Sequence, residues 1–185
     1  GFGISDGNEG TQWNLKVSTD TGAIRLGVNL EGKKYGTWPI SKFIQSEINN
    51  PRISEVAKEL SNPDEIFIRF ARDAWQVTYR PSIVEQYIGG KQFSFSESNS
   101  GQWSKSLQEA LNCLNKEANY CGRAKQKVTL ENKPRNGAQA RVMEVSPHLT
   151  IWTPLSLDGS IQENIKRKFT ELQPVYDWVK SVSQS

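Results

Sequence analysis

The chain has 185 residues, 36% of them hydrophobic and 23% charged, with six Trp and a formal net charge of +3. That length suits one domain with a sizeable core, and the composition excludes the disordered and collagen-like classes. A charge of +3 is too small to imply a nucleic-acid partner by itself, so its distribution along the chain matters more than its size.

No apolar run approaches the roughly 18 residues of a membrane span. The start, Gly1-Phe2-Gly3-Ile4-Ser5-Asp6, lacks the basic then apolar pattern of a signal peptide. We therefore expect a cytoplasmic protein with no membrane partner. Because the chain opens on Gly1 rather than Met, we also expect the natural protein to extend further. Cys113 and Cys121 form neither a disulfide framework nor a zinc pattern and read as free thiols. No cofactor is expected unless a nuclease site brings Mg²⁺.

In chain order, residues 1–12 hold four glycines among Ser, Asp and Asn and read as a flexible lead-in to a single domain over 13–185. Trp13, Leu15 and Val17 alternate with polar residues, the turn Thr19-Asp20-Thr21-Gly22 follows, and Ile24, Leu26, Val28 and Leu30 alternate again. Period 2 on both sides of a turn predicts a hairpin with one buried face. From Thr37 the period becomes helical, with Ile40, Phe43, Ile44 and Ile48 on one side. Asn49-Asn50-Pro51 stops that helix and starts another, with Asn50 as cap and Ile53, Val56, Ala57 and Leu60 as its stripe.

Glu65 to Ala71 and Trp75 to Arg80 read as a second strand pair around Arg72-Asp73-Ala74. Between Pro81 and Ser100 the pattern predicts a short helix over Ile83 to Ile88, a break at Gly89-Gly90, a brief strand at Phe93 to Phe95 and a polar loop. A strong helix runs from Trp103 to near Tyr120-Cys121-Gly122. The third strand group is Lys125 to Glu131, Ala138 to Ser146 and Leu149 to Thr153, joined by a loop containing Asn136-Gly137. Ser160-Ile161-Gln162-Glu163 matches a capping box and opens a helix; Pro174 starts a last one. Hairpins segregated from helices predict an α+β fold, a mainly antiparallel sheet of three hairpin-like strand groups packed by four or five helices.

Three stretches bear on chemistry. In the first, Glu31-Gly32-Lys33, period 2 places an acid and a lysine on one face of a strand end. Metal-dependent nucleases need that pair, the carboxylate to hold a divalent ion and the ammonium to position water and phosphate. The pattern resembles the core of restriction-type nucleases over these residues alone. The resemblance implies catalysis by Glu31 and Lys33, with Mg²⁺ on Glu31. Such a site needs a further acid, and Asp20, at about 3.3 Å per residue, lies roughly 35 Å away at the far end of the strand. In-register pairing of the hairpin puts Glu31 opposite Gly10, so Glu9, or less easily Asp6, completes the site. The same spacing recurs at Glu131-Asn132-Lys133, and a solvated strand end is the plainer reading of both.

In the second, Arg123, Lys125, Lys127, Lys133, Arg135 and Arg141 stand against the single acid Glu131, a net of +5. A basic strand-loop-strand of this kind follows phosphates or enters a groove; otherwise it is the solvated face of an edge strand. In the third, Arg69, Arg72, Trp75, Tyr79 and Arg80 interleave arginines with aromatics that stack on unpaired bases, or else pack a core. His148, between two predicted strands, has no second metal-type partner in sequence and reads as turn packing. Neither a nucleophile motif nor a glycine-rich phosphate loop is present. These patterns lead us to expect a nucleic-acid-binding domain, its partner DNA rather than RNA. A Mg²⁺-dependent nuclease and a protein-interaction module are the alternatives.

Overall fold

The computed structural model describes residues 2–5, 10–18, 21–30, 39–74, 87–117, 124–129 and 140–184. Within them the alternating runs become β1 (Phe2–Ser5), β2 (Thr11–Val17), β3 (Ile24–Leu30), β4 (Phe67–Ala74), β5 (Tyr87–Ser94), β6 (Ala124–Thr129) and β7 (Ala140–Leu155). The helical runs become α1 (Pro39–Asn49), α2 (Ile53–Glu59), α3 (Gln102–Glu117) and α4 (Ile161–Gln184), with 3-10 turns at Pro63–Glu65 and Phe95–Ser100. All strand pairs are antiparallel, in the order β1-β2-β3-β7-β4-β5 with β6 also on β7. The fold is α+β, as the segregation of hairpins from helices predicts.

The first hairpin has the expected register, Trp13 opposite Val28, Leu15 opposite Leu26 and Val17 opposite Ile24. Gly22, at φ +68°, supplies the left-handed residue that its turn requires. Along β7, Leu149 and Ile151 lie opposite Leu30 and Val28 on one side and Phe70 and Ile68 on the other. These side chains form one apolar sheet face, and α1, α3 and α4 cover it with Ile40, Phe43, Ile44, Trp103, Leu107, Leu172, Val175 and Val179, all buried. Trp13 packs against α4 as well, its ring 4.8 Å from and nearly parallel to that of Tyr176. Alternation on strands and a helical stripe on α1, α3 and α4 thus specify the same core from both layers.

β7 is the spine. Val145 pairs with both Ala124 of β6 and Ala74 of β4. A strand position has one neighbour per edge, so β6 lies on the edge that β3 occupies further along. The first part of β7 and β6 therefore make a two-stranded ribbon running on from the helix-packed sheet.

Several expectations change. Residues 1–12, read as a lead-in, include β1, which pairs Phe2 with Leu15 and Ile4 with Trp13. Arg72-Asp73-Ala74 is not a turn but the end of β4, held opposite Pro147, Ser146 and Val145. The partners of β4 are β5 and β7; the expected partner, Trp75 to Arg80, lies outside the described residues. Tyr87 to Gly90 are strand rather than helix and break. The two strands expected on either side of Pro147 are one. Along the β3 edge, Pro147 falls between the last β6 pair and the first β3 pair, where a missing ladder donor costs least. α4 runs through Pro174 without a break. At the start of α2 the flanking residue is Arg52 without a side-chain cap, in place of the expected Asn50. Ser160 does cap α4, its Oγ accepting from the Glu163 N–H at 3.4 Å.

Candidate nucleic-acid interface

Strand pairing brings part of the predicted basic set to β7. Lys125 and Lys127 occupy alternate positions of β6, opposite Glu144 and Val142, and Arg141 lies in β7 opposite Val128. Arg69 and Arg72 lie in β4 opposite Thr150 and Pro147. Counting along the unbroken pairing of β7, positions 125, 127 and 69 fall in one alternate set and positions 72 and 141 in the other. The arginines of β4 are thus divided between the two sheet faces. Arg123, Lys133, Arg135, Trp75 and Tyr79 lie outside the described residues, as do Glu9, Glu31 and Lys33.

The alternate set that contains Arg69 forms the sheet face turned away from the apolar core. Three rows cross it: Gln12, Asn29, Thr150 and Arg69; then Asn14, Gly27, Trp152 and Phe67; then Lys16, Arg25 and Pro154. Trp152 is its centre. Phe67 stacks beside it with centroids 4.8 Å apart and planes 30° apart, and the Arg25 guanidinium lies over its ring at 4.0 Å, a cation–π contact. Gly27 makes this arrangement possible. A Cβ there would sit 2.9 Å from Trp152 Cβ and 2.5 Å from the Ile151 carbonyl oxygen, so only glycine lets β3 pass this close to the indole-bearing position.

Two other clusters concentrate charge. Glu47, on α1, is fully buried. Its Oε1 accepts from Trp178 Nε1 at 2.9 Å and its Oε2 from Trp103 Nε1 at 3.2 Å. The Arg52 backbone N–H donates to both oxygens, at 3.3 and 3.2 Å. Burial holds its carboxyl above the ordinary 4.5 of a glutamate, partly opposed by the Trp178, Arg52 and Trp103 hydrogen bonds. Buried and bonded to three donors, this side chain ties α1, α3 and α4 together.

The second cluster lines a cleft of about 590 Å³ between Asn62–Glu65, the end of β7 and the first half of α4. There Lys168 Nζ lies 2.8 Å from Glu171 Oε2 and 3.3 Å from Glu65 Oε2. Asn62 Nδ2 donates to the other Glu171 oxygen at 3.4 Å. The ammonium already occupies the space between two carboxylates, so it opposes a divalent ion there. Among the described residues, no three His, Cys, Asp or Glu side chains come together as a metal site, and no helix is long and apolar enough to cross a membrane.

Comparison with protein-family models, with curated proteins and with solved structures finds no match. The sequence by itself does not single out the Trp152 cluster, because its members come from three strands far apart along the chain. A glycine inside a strand is the available signal, since it marks a close approach.

Proposed function

We propose that the chain is a nucleic-acid-binding domain that contacts phosphates through the β6–β7 ribbon, with DNA as its partner rather than RNA. The observation that supports this most is the ribbon itself. A strand with lysines at alternate positions, in a segment of net charge +5, pairs with a stretch of β7 that continues past the β3 pairing. Two antiparallel strands have the dimensions of the B-DNA major groove, whereas the major groove of A-form RNA is too deep and narrow for them. Arg123, Lys133, Arg135 and Arg141 add charge to the same segment by sequence.

The test is fluorescence anisotropy of labelled single- and double-stranded DNA and RNA over a salt series, with and without Mg²⁺. Binding to duplex DNA should weaken steeply with salt. Each of Lys125→Glu and Lys127→Glu should lower the slope of log affinity against log salt by about 0.9 for each phosphate that the variant no longer neutralises. An unchanged slope in both variants overturns the ribbon as the contact surface. The Mg²⁺ arm carries the nuclease alternative: products that form with the metal and vanish in Glu31→Ala would favour it. Affinity that survives charge reversal at Lys133 and Arg135 would favour a protein partner instead.

A further inference from the structure

On the sheet face around Trp152, a polar atom of Trp152 and one of Asn29 have no hydrogen-bond partner among the described residues. Trp152 is 7% exposed and Asn29 is 9% exposed. Among the described residues, the Trp152 indole N–H and the Asn29 carbonyl oxygen Oδ1 are buried with no hydrogen bond. Natural interiors rarely leave such groups unmet, because water is lost and nothing replaces it. One orphan is a donor and the other an acceptor. They belong to adjacent rows of one sheet face, Asn29 opposite Thr150 and Trp152 opposite Gly27, with backbones roughly 7 Å apart along the strand.

We propose that this face reads one unpaired nucleobase, which presents an acceptor to the Trp152 N–H and a donor to Asn29 Oδ1 while Arg25 meets its flanking phosphate. The Watson–Crick edge of every base carries both kinds of group in a plane, and exposure of that edge requires a single strand. Arg25 already lies on the indole at 4.0 Å, so its charge sits beside the donor without filling the place of a hydrogen-bonding ligand. Phe67 is half-buried beside the indole and offers a ring on which a neighbouring base stacks. The inference rests on the nucleic-acid reading above and extends it. Positions 125 and 127 share an alternate set with positions 150 and 152 of β7. A backbone following the ribbon therefore arrives at Trp152, ten residues or roughly 33 Å along β7 from Val142.

The experiment uses ten-nucleotide single-stranded DNAs that differ at one central position, carrying each of the four bases or an abasic site. Wild-type affinities should spread by about tenfold or more, the abasic site being among the weakest. Trp152→Phe, which keeps a ring and loses the N–H, and Asn29→Leu, which loses the acceptor, should narrow the spread below threefold with an unchanged salt slope. Asn29→Leu should melt no lower than wild type, because it removes an amide oxygen that the free protein leaves unpaired, whereas Trp152→Phe should melt lower, because the smaller ring gives up part of the contact with Phe67 and Arg25. A ¹⁵N spectrum of wild type adds a readout independent of the variants: the Trp152 indole resonance should move on adding the preferred DNA and stay in place with the abasic one. Salt-dependent binding with no base preference, or with a preference that both variants retain, overturns base reading and leaves the ribbon intact. Absence of binding to all five single strands overturns this inference alone; absence of salt-dependent binding to duplex DNA as well overturns the nucleic-acid reading with it.

Discussion

Glu47 shows how one residue decides the packing of three helices. Its oxygens accept from two indoles on α3 and α4 and from the Arg52 backbone. A carboxamide in its place keeps one accepting oxygen and turns an NH₂ toward one of the indole N–H groups. Glu47→Gln should therefore cost about 1–3 kcal/mol, the penalty of a buried donor without an acceptor. The pH dependence has a definite sign. Because burial raises this carboxyl above 4.5, the folded chain holds the proton that the unfolded chain releases. The contribution of Glu47 is complete below pH 4.5 and declines as pH rises through the raised value, by up to about 1.4 kcal/mol per pH unit. Melts of wild type and Glu47→Gln across that window should show wild type losing ground to the variant as pH rises. A difference independent of pH would mean that Glu47 titrates alike in both states. Position 47 follows Phe43 and Ile44 at helical spacing, so its place on the buried stripe is legible in the sequence. Ile48, read as part of that stripe, is instead 39% exposed. A charged residue is assigned to solvent by default, and the two indoles that reverse this lie far away in sequence.

Among the elements, those whose partners are near in sequence are the legible ones. The β2–β3 register follows from alternation because a slip of one residue would turn Leu26, Val28 and Leu30 out of the core. β4 and β7 are misread because their partners are remote: Arg72-Asp73-Ala74 resembles a turn until β7 is placed beside it. Most of the candidate base site is illegible for the same reason, since Asn29, Gly27, Trp152 and Phe67 meet only across three strands. The prolines mislead in a different way. Pro174 breaks an isolated helix but not α4, because Leu172, Val175, Tyr176 and Val179 are all buried around it and tertiary packing holds both halves in line. It still lacks the N–H that would donate to the Thr170 carbonyl, and its ring crowds that carbonyl. The cost in a helix interior is about 3 kcal/mol, offset by up to about 1 kcal/mol because proline restricts the unfolded chain. Pro174→Ala should then stabilise the protein by about 2 kcal/mol and raise the melting temperature by several degrees. A lower melting temperature would show that packing of the proline ring outweighs the missing hydrogen bond.

For the whole molecule, β7 joins two regions with different reasons to be stable. From Leu149 to Trp152 it is paired on both edges, with β3 and with β4, and Leu149 and Ile151 belong to the helix-covered core. From Ala140 to Glu144 its described partner is β6 alone, and an isolated strand pair is marginal in water. Opening of the ribbon should therefore need less than global unfolding, while the β3–β7–β4 centre should open only with the whole protein. Hydrogen exchange measured residue by residue can separate the two. In the free protein, amides of Val28, Ile68 and Ile151 should exchange last, and those of Lys125, Lys127 and Val142 orders of magnitude sooner. Duplex DNA should slow exchange in the ribbon and leave the centre unchanged, because a ligand raises the opening free energy only of the region it holds closed. Ribbon amides as slow as those of β3 in the free protein would make β6 part of the cooperative core. Ribbon amides indifferent to saturating DNA would move the contact surface elsewhere on the sheet.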